Sequence, residues 1–141
     1  MNNEPIRYTL SKSERISAQK RIETIFSGSE SFIAYPLRVV FTRRDTIDGQ
    51  PLVAMMVSVS KKRLKRANKR NRVKRLVREA FRLRKHAFAN IAASGGMSLD
   101  IAFLYLKEDL PSFEEIEKSM QKSIYVLTEK LLSVNSNESN S

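Results

Sequence analysis

Fourteen of the chain's twenty-six lysines and arginines fall between Lys61 and Lys85, with one acid, Glu79, among them. The other twelve cations are outnumbered by fourteen acids, so all of the +11 net charge arises in that window. Charge gathered this densely does more than keep a protein soluble. It matches a row of phosphates, and the planar fork of arginine is the side chain that grips them best. The chemistry on offer is the binding of a polyanion.

Groups that break bonds are not in evidence. The one histidine, His86, falls on the polar side of a helical pattern. With no cysteine, the chain has no disulfide, no thiolate metal ligand and no thiol nucleophile, and one histidine does not make a zinc set. Asp45 with Asp48, and Glu108 with Asp109, lie in turn-like stretches with no sign of a paired general acid and base. Gly95-Gly96 is a bare turn, not a phosphate-cradling loop.

A helix must present the cations. Winding residues 70–91 at about 100° per residue sorts them into two arcs. Val73, Leu76, Val77, Ala80, Phe81, Leu83, Ala87, Phe88 and Ile91 fall on one side. Arg72, Lys74, Arg75, Arg78, Arg82 and Lys85 fall on the other, with Arg70 at the border. Arg84 sits in the apolar arc, its stem long enough to snorkel to water. A merely solvated face mixes signs and uses Glu–Lys pairs four apart. Here Arg70, Lys74, Arg78 and Arg82 repel at that spacing, at about 0.2–0.5 kcal/mol per pair. The preceding loop, residues 58–71, adds Lys61, Lys62, Arg63, Lys65 and Arg66. Ser58, Ser60, Asn68 and Asn71 there read equally as donors to phosphate or sugar and as helix caps.

The rest of the chain must build a core beneath that helix. Ser11-Lys-Ser-Glu14 has capping-box spacing ahead of a leading helix from about Ser13 to Phe26, ended by Gly28. Phe32 to Thr42 is β-rich but broken by Pro36, and Leu37 to Phe41 alternates as a half-buried strand. Turn chemistry at residues 45–49 fits a hairpin into a second, almost wholly apolar strand, Leu52 to Val59. Leu99 to Leu106 reads as another buried strand, and Ser112 with Glu115 forms a second capping box opening the last helix. The expected architecture is α+β, a two-layer sandwich of one mixed sheet and its helices. A single domain is expected over residues 10–132, with a flexible stretch at 1–9 and a disordered polar tail at 133–141. At 41% hydrophobic residues the chain can fill such a core.

No apolar run approaches the ~18 residues of a membrane span, and the N-terminus lacks a signal pattern, so a cytoplasmic protein is expected. Three polyanions remain as partners. Duplex DNA would call for a helix directly preceding the basic one, as in a helix-turn-helix. A lipid surface would need the apolar arc that the core requires. Structured RNA meets neither objection.

At Val57-Ser-Val-Ser-Lys-Lys62 followed by Lys69-Arg-Asn-Arg-Val-Lys-Arg-Leu-Val-Arg-Glu-Ala-Phe-Arg82, the chain resembles the protein component of bacterial ribonuclease P. The resemblance extends over most of residues 10–132. It implies an αβββαβα order with a left-handed βαβ crossover, against the usual right-handed rule. It implies a cofactor protein for a ribozyme: the RNA subunit, with its Mg²⁺ ions, removes the 5′ leader of precursor tRNA. By the same resemblance the RNA-binding residues are Lys61 and Lys62 on the loop and Lys69, Arg70, Asn71, Arg72, Lys74, Arg75, Arg78 and Arg82 on the helix, with Asn71 near metal or phosphate. A cleft for the leader would involve Ile22, Phe26, Val39 and Phe41. Members often carry two aromatics on the leading helix; here those places fall on Ile22 and Phe26, leaving one stacking platform. The loop also lacks the glycine many members have. A structural RNA-binding protein, of the ribosomal kind, remains the alternative on composition alone.

Overall fold

The computed structural model describes residues 14–15 and 30–139, with side chains through Leu132. Most of the expected leading helix, including Ile22 and Phe26, lies outside the described residues. A four-stranded sheet is built from β1 (Glu30–Ala34), β2 (Leu37–Arg44), β3 (Val53–Ser58) and β4 (Ser98–Tyr105). Two long helices, α1 (Ala67–Ser94) and α2 (Phe113–Ser139), complete the α+β architecture.

Pro36 divides the β-rich stretch into a hairpin instead of interrupting one strand. It has no N–H to give a ladder, so it sits in the turn between β1 and β2, where its carbonyl accepts the Leu106 N–H at 2.8 Å. The spatial order is β1-β2-β4-β3. This corrects the expected hairpin between the second and third strands. β4 lies between them, antiparallel to β2 and parallel to β3. Its residues are buried on both faces except Leu104, which is partly covered, and such a strand belongs in the middle of a sheet. Parallel neighbours require a crossover of a dozen residues or more. The basic loop and α1 supply it.

Alternation assigns the two faces of the sheet. Leu37, Val39 and Phe41 on β2, Val53, Met55 and Val57 on β3, and Leu99, Ile101 and Phe103 on β4 join the main core with both helices. Phe81 and Phe88 of α1 stack at 4.8 Å, and both meet Phe103 edge-on at 6.0 and 6.5 Å. Val40, Ala54 and Ala102 form a smaller buried cluster on the opposite face, with Met56 and Leu104 packed against it.

The apolar arc of α1 is narrower than its periodicity predicts. Leu83 is exposed. Arg84, expected to snorkel, donates instead to Glu117 of α2 at 2.6 Å. At α2 the Ser112 hydroxyl accepts the Glu115 N–H at 3.1 Å, whereas the Glu115 carboxylate turns to Lys107 at 3.0 Å, so only half of the capping box forms. Helical backbone continues past Leu132 to Ser139, into the stretch expected to be a disordered tail. That stretch contains neither Gly nor Pro to stop it.

Candidate nucleic-acid interface

α1 is placed by its buried stripe. Val73, Val77, Ala80, Phe81, Phe88, Ile91 and Ala92 are sunk in the core, which fixes the helix's rotation and turns the opposite stripe outward. Asn71, Lys74, Arg75, Arg78, Glu79 and Arg82 line one groove of about 590 Å³, and Arg15 joins them from the N-terminal segment. Six of the seven lining residues can donate to an anion, five of them as cations. Arg15 gave no signal in the sequence, being one charge among mixed neighbours.

Glu79 is the exception in the groove. Its carboxylate accepts the Arg82 Nε–H at 2.9 Å. That hydrogen bond, more than simple attraction, holds the carboxyl below the usual carboxylate range. Arg78 is lowered from the usual arginine value, first by burial and then by the charge of Arg15.

The loop ahead of α1 holds five cations in close quarters and is ordered by apolar anchors. Val59 and Leu64 are buried in the main core. The Ser60 carbonyl accepts the N–H groups of Arg63 and Leu64 at 3.1 and 3.2 Å. Lys62, Arg63, Lys65, Arg66 and Lys69, with Leu64 and Glu108, line a second hollow of about 330 Å³. The first turn of α1 carries no acid and no side-chain cap, so its amides add to the attraction for anions. Asn68 and Asn71 therefore do not cap the helix; Asn71 lies in the groove.

Two groups of expected site residues need revision. Arg70 is not simply presented to a partner. Its Nη1 donates to the Leu64 and Lys65 carbonyls at 2.9 and 2.8 Å, because a helical side chain at the border of the two arcs leans back over the preceding turn. It latches the basic loop onto the helix. Val39 and Phe41, expected at a leader cleft, are 0% and 1% exposed and belong to the main core. They share a face with Leu37, opposite Arg38, and that face is the one the helices cover. Among the other expected residues, Lys61 and Arg72 stand exposed outside both hollows. Lys85, expected on the cationic arc, is turned to Glu14 at 3.3 Å.

Fold and surface together define a small α+β protein that offers one concentrated cationic face to a polyanion. The chain matches the family model described as Ribonuclease P over residues 10–128. It is 45% identical over 120 residues to the ribonuclease P protein component of Porphyromonas gingivalis, covering 85% of this chain and 87% of that one. The component from Chlorobium phaeobacteroides is 30% identical over 126 residues, covering 83% and 86%. The structure of the Staphylococcus aureus RNase P protein superposes with a TM-score of 0.60 over 82% of this chain and 95% of that one, at 21% identity, a likeness of fold. The chain belongs to the ribonuclease P protein component family. Membership makes it a subunit of a ribonuclease with an RNA partner. No helix among the described residues is long and apolar enough to cross a membrane.

Proposed function

We propose that the chain binds the catalytic RNA of ribonuclease P through the outer face of α1 and its preceding loop. In this reading it also holds the single-stranded 5′ leader of precursor tRNA, and so promotes the cut that leaves the mature 5′ end. The observation that carries the proposal is the anchored basic face: Lys74, Arg75 and Arg78 line a single groove, and no ion pair engages them among the described residues. Two polyanions repel each other, and a cationic surface between them lowers the work of bringing them together.

Hydrolysis is assigned to the RNA and its Mg²⁺. Asn71, expected near metal or phosphate, does not fit a protein-held Mg²⁺: it is set among Lys74, Arg75 and Arg78, which repel a divalent cation. With Val39 and Phe41 in the core, the leader is assigned to the second face of the sheet. There Arg38 is exposed and lies level with Leu104 and Ser58, which like Met56 are only partly covered, whereas Val40 and Ala102 on that face are buried. Stacking of a leader base on Phe26 would add roughly 1–3 kcal/mol.

Reconstitution with the cognate RNA tests the reading. Adding the protein at low Mg²⁺ is expected to accelerate removal of the leader from precursor tRNA. Tight RNA binding without acceleration would instead make this a structural RNA-binding protein.

A further inference from the structure

The groove of about 590 Å³ has two sides. One is the α1 stripe from Asn71 to Arg82, about 16 Å of helix axis. The other is Arg15, from a different part of the chain. Two contacts pin it there. The Arg15 backbone pairs in parallel with Met55 along the outer edge of β3. The adjacent Glu14 carboxylate takes the Lys85 ammonium at 3.3 Å, with the two side chains only 17% and 12% exposed. Glu14 is thus spent on α1, and Arg15 is left to the groove.

That placement is unfavourable for the fold taken alone. Arg15 is brought beside Arg78 closely enough to lower the latter's pKa, and like charges held together cost stability. The one acid in the lining, Glu79, is already bonded to Arg82. No side chain among the described residues forms a hydrogen bond or ion pair with Arg15. A gap between two guanidinium groups, with Lys74, Arg75 and the Asn71 amide alongside, suits a tetrahedral dianion or a phosphodiester, whose oxygens accept from several forks at once.

We propose that the groove between Arg15 and α1 is a phosphate site, in which Arg15 and Arg78 together hold one backbone phosphate of the bound RNA. Arg15, outside the basic helix, is then an RNA-contacting residue. This rests on the RNA-binding reading above and extends it to a second wall that α1 by itself does not provide.

The test uses the full chain and the cognate ribonuclease P RNA, with affinity measured over a series of salt concentrations. Arg15→Ala, Arg15→Lys, Arg78→Ala and the Arg15→Ala/Arg78→Ala double variant are compared. Arg15→Ala is expected to reduce the log–log salt slope by about 0.7–0.9, while its melting temperature stays level or rises because a like charge has gone. Arg15→Lys keeps the slope. The double variant loses less than the two single losses combined, since both residues act on one phosphate. An unchanged slope for Arg15→Ala alongside a reduced slope for Arg78→Ala overturns the groove proposal and leaves the RNA face standing. If neither changes, the RNA face itself is wrong. A fall in melting temperature together with affinity, not rescued by Arg15→Lys, would make Arg15 structural and also overturn the proposal.

Discussion

Phe81 and Phe88 stack at 4.8 Å on the inner side of α1, while on the outer side of the same helix Lys74, Arg75 and Arg78 line an open groove. The inner stripe is held by close packing with the sheet and tolerates little change of volume. The outer stripe carries like charges that destabilise an isolated helix. One face contributes stability and the other consumes a little of it. On the proposed reading of the outer face, substitutions on the two faces should move different measurements.

The largest effect is expected inside. Phe88→Ala leaves a cavity beside Phe81 and Phe103 and should cost about 3–5 kcal/mol in denaturant unfolding. The fraction still folded should bind RNA with the unaltered salt slope. Arg84→Ala strands the Glu117 carboxylate between α1 and α2. Both partners keep about a quarter of their exposure, so the loss should be about 1–2 kcal/mol, below that of a fully buried pair. An Arg84→Ala variant as stable as the parent would show that the bridge contributes nothing to helix docking.

Arg70→Ala sharpens the comparison at the border between the faces. Releasing the Leu64 and Lys65 carbonyls should speed amide exchange in residues 63–66 while the core amides of α1 stay protected. Unaltered exchange there would mean the latch is idle. Glu79→Gln should have the smallest effect, a slight gain in RNA affinity as the one acid in the groove's lining loses its charge. The Arg82 hydrogen bond depresses the Glu79 pKa, so the pair is intact above the usual carboxylate range and is lost only as pH falls through the depressed value. RNA binding should therefore show no step from this pair between about pH 6 and 8, and a step there that Glu79→Gln abolishes would contradict the pairing.

Much of α1 was legible because two signals agreed: a 3.6-residue apolar repeat and a run of cations out of phase with it. Sheet order was not. The residues between β2 and β3 suit a hairpin as well as a longer departure, and nothing local says that β4 will come between them. The burial of Val39 and Phe41 was partly legible, since Leu37-Arg-Val-Val-Phe41 puts both on the face opposite Arg38. Which face the helices would cover was not. Arg70 sat on the boundary between the arcs, where angle alone cannot separate a ligand from a latch. Arg15 was invisible because its place in the groove comes from a tertiary pairing with Met55.

The most direct test of the outer face is the salt dependence of RNA affinity for Arg72→Ala/Lys74→Ala/Arg75→Ala against the parent, both shown to melt at similar temperatures. Loss of three phosphate contacts predicts a log–log slope shallower by about 2–3 with the fold intact. A slope that matches the parent would contradict the assignment of this face to RNA.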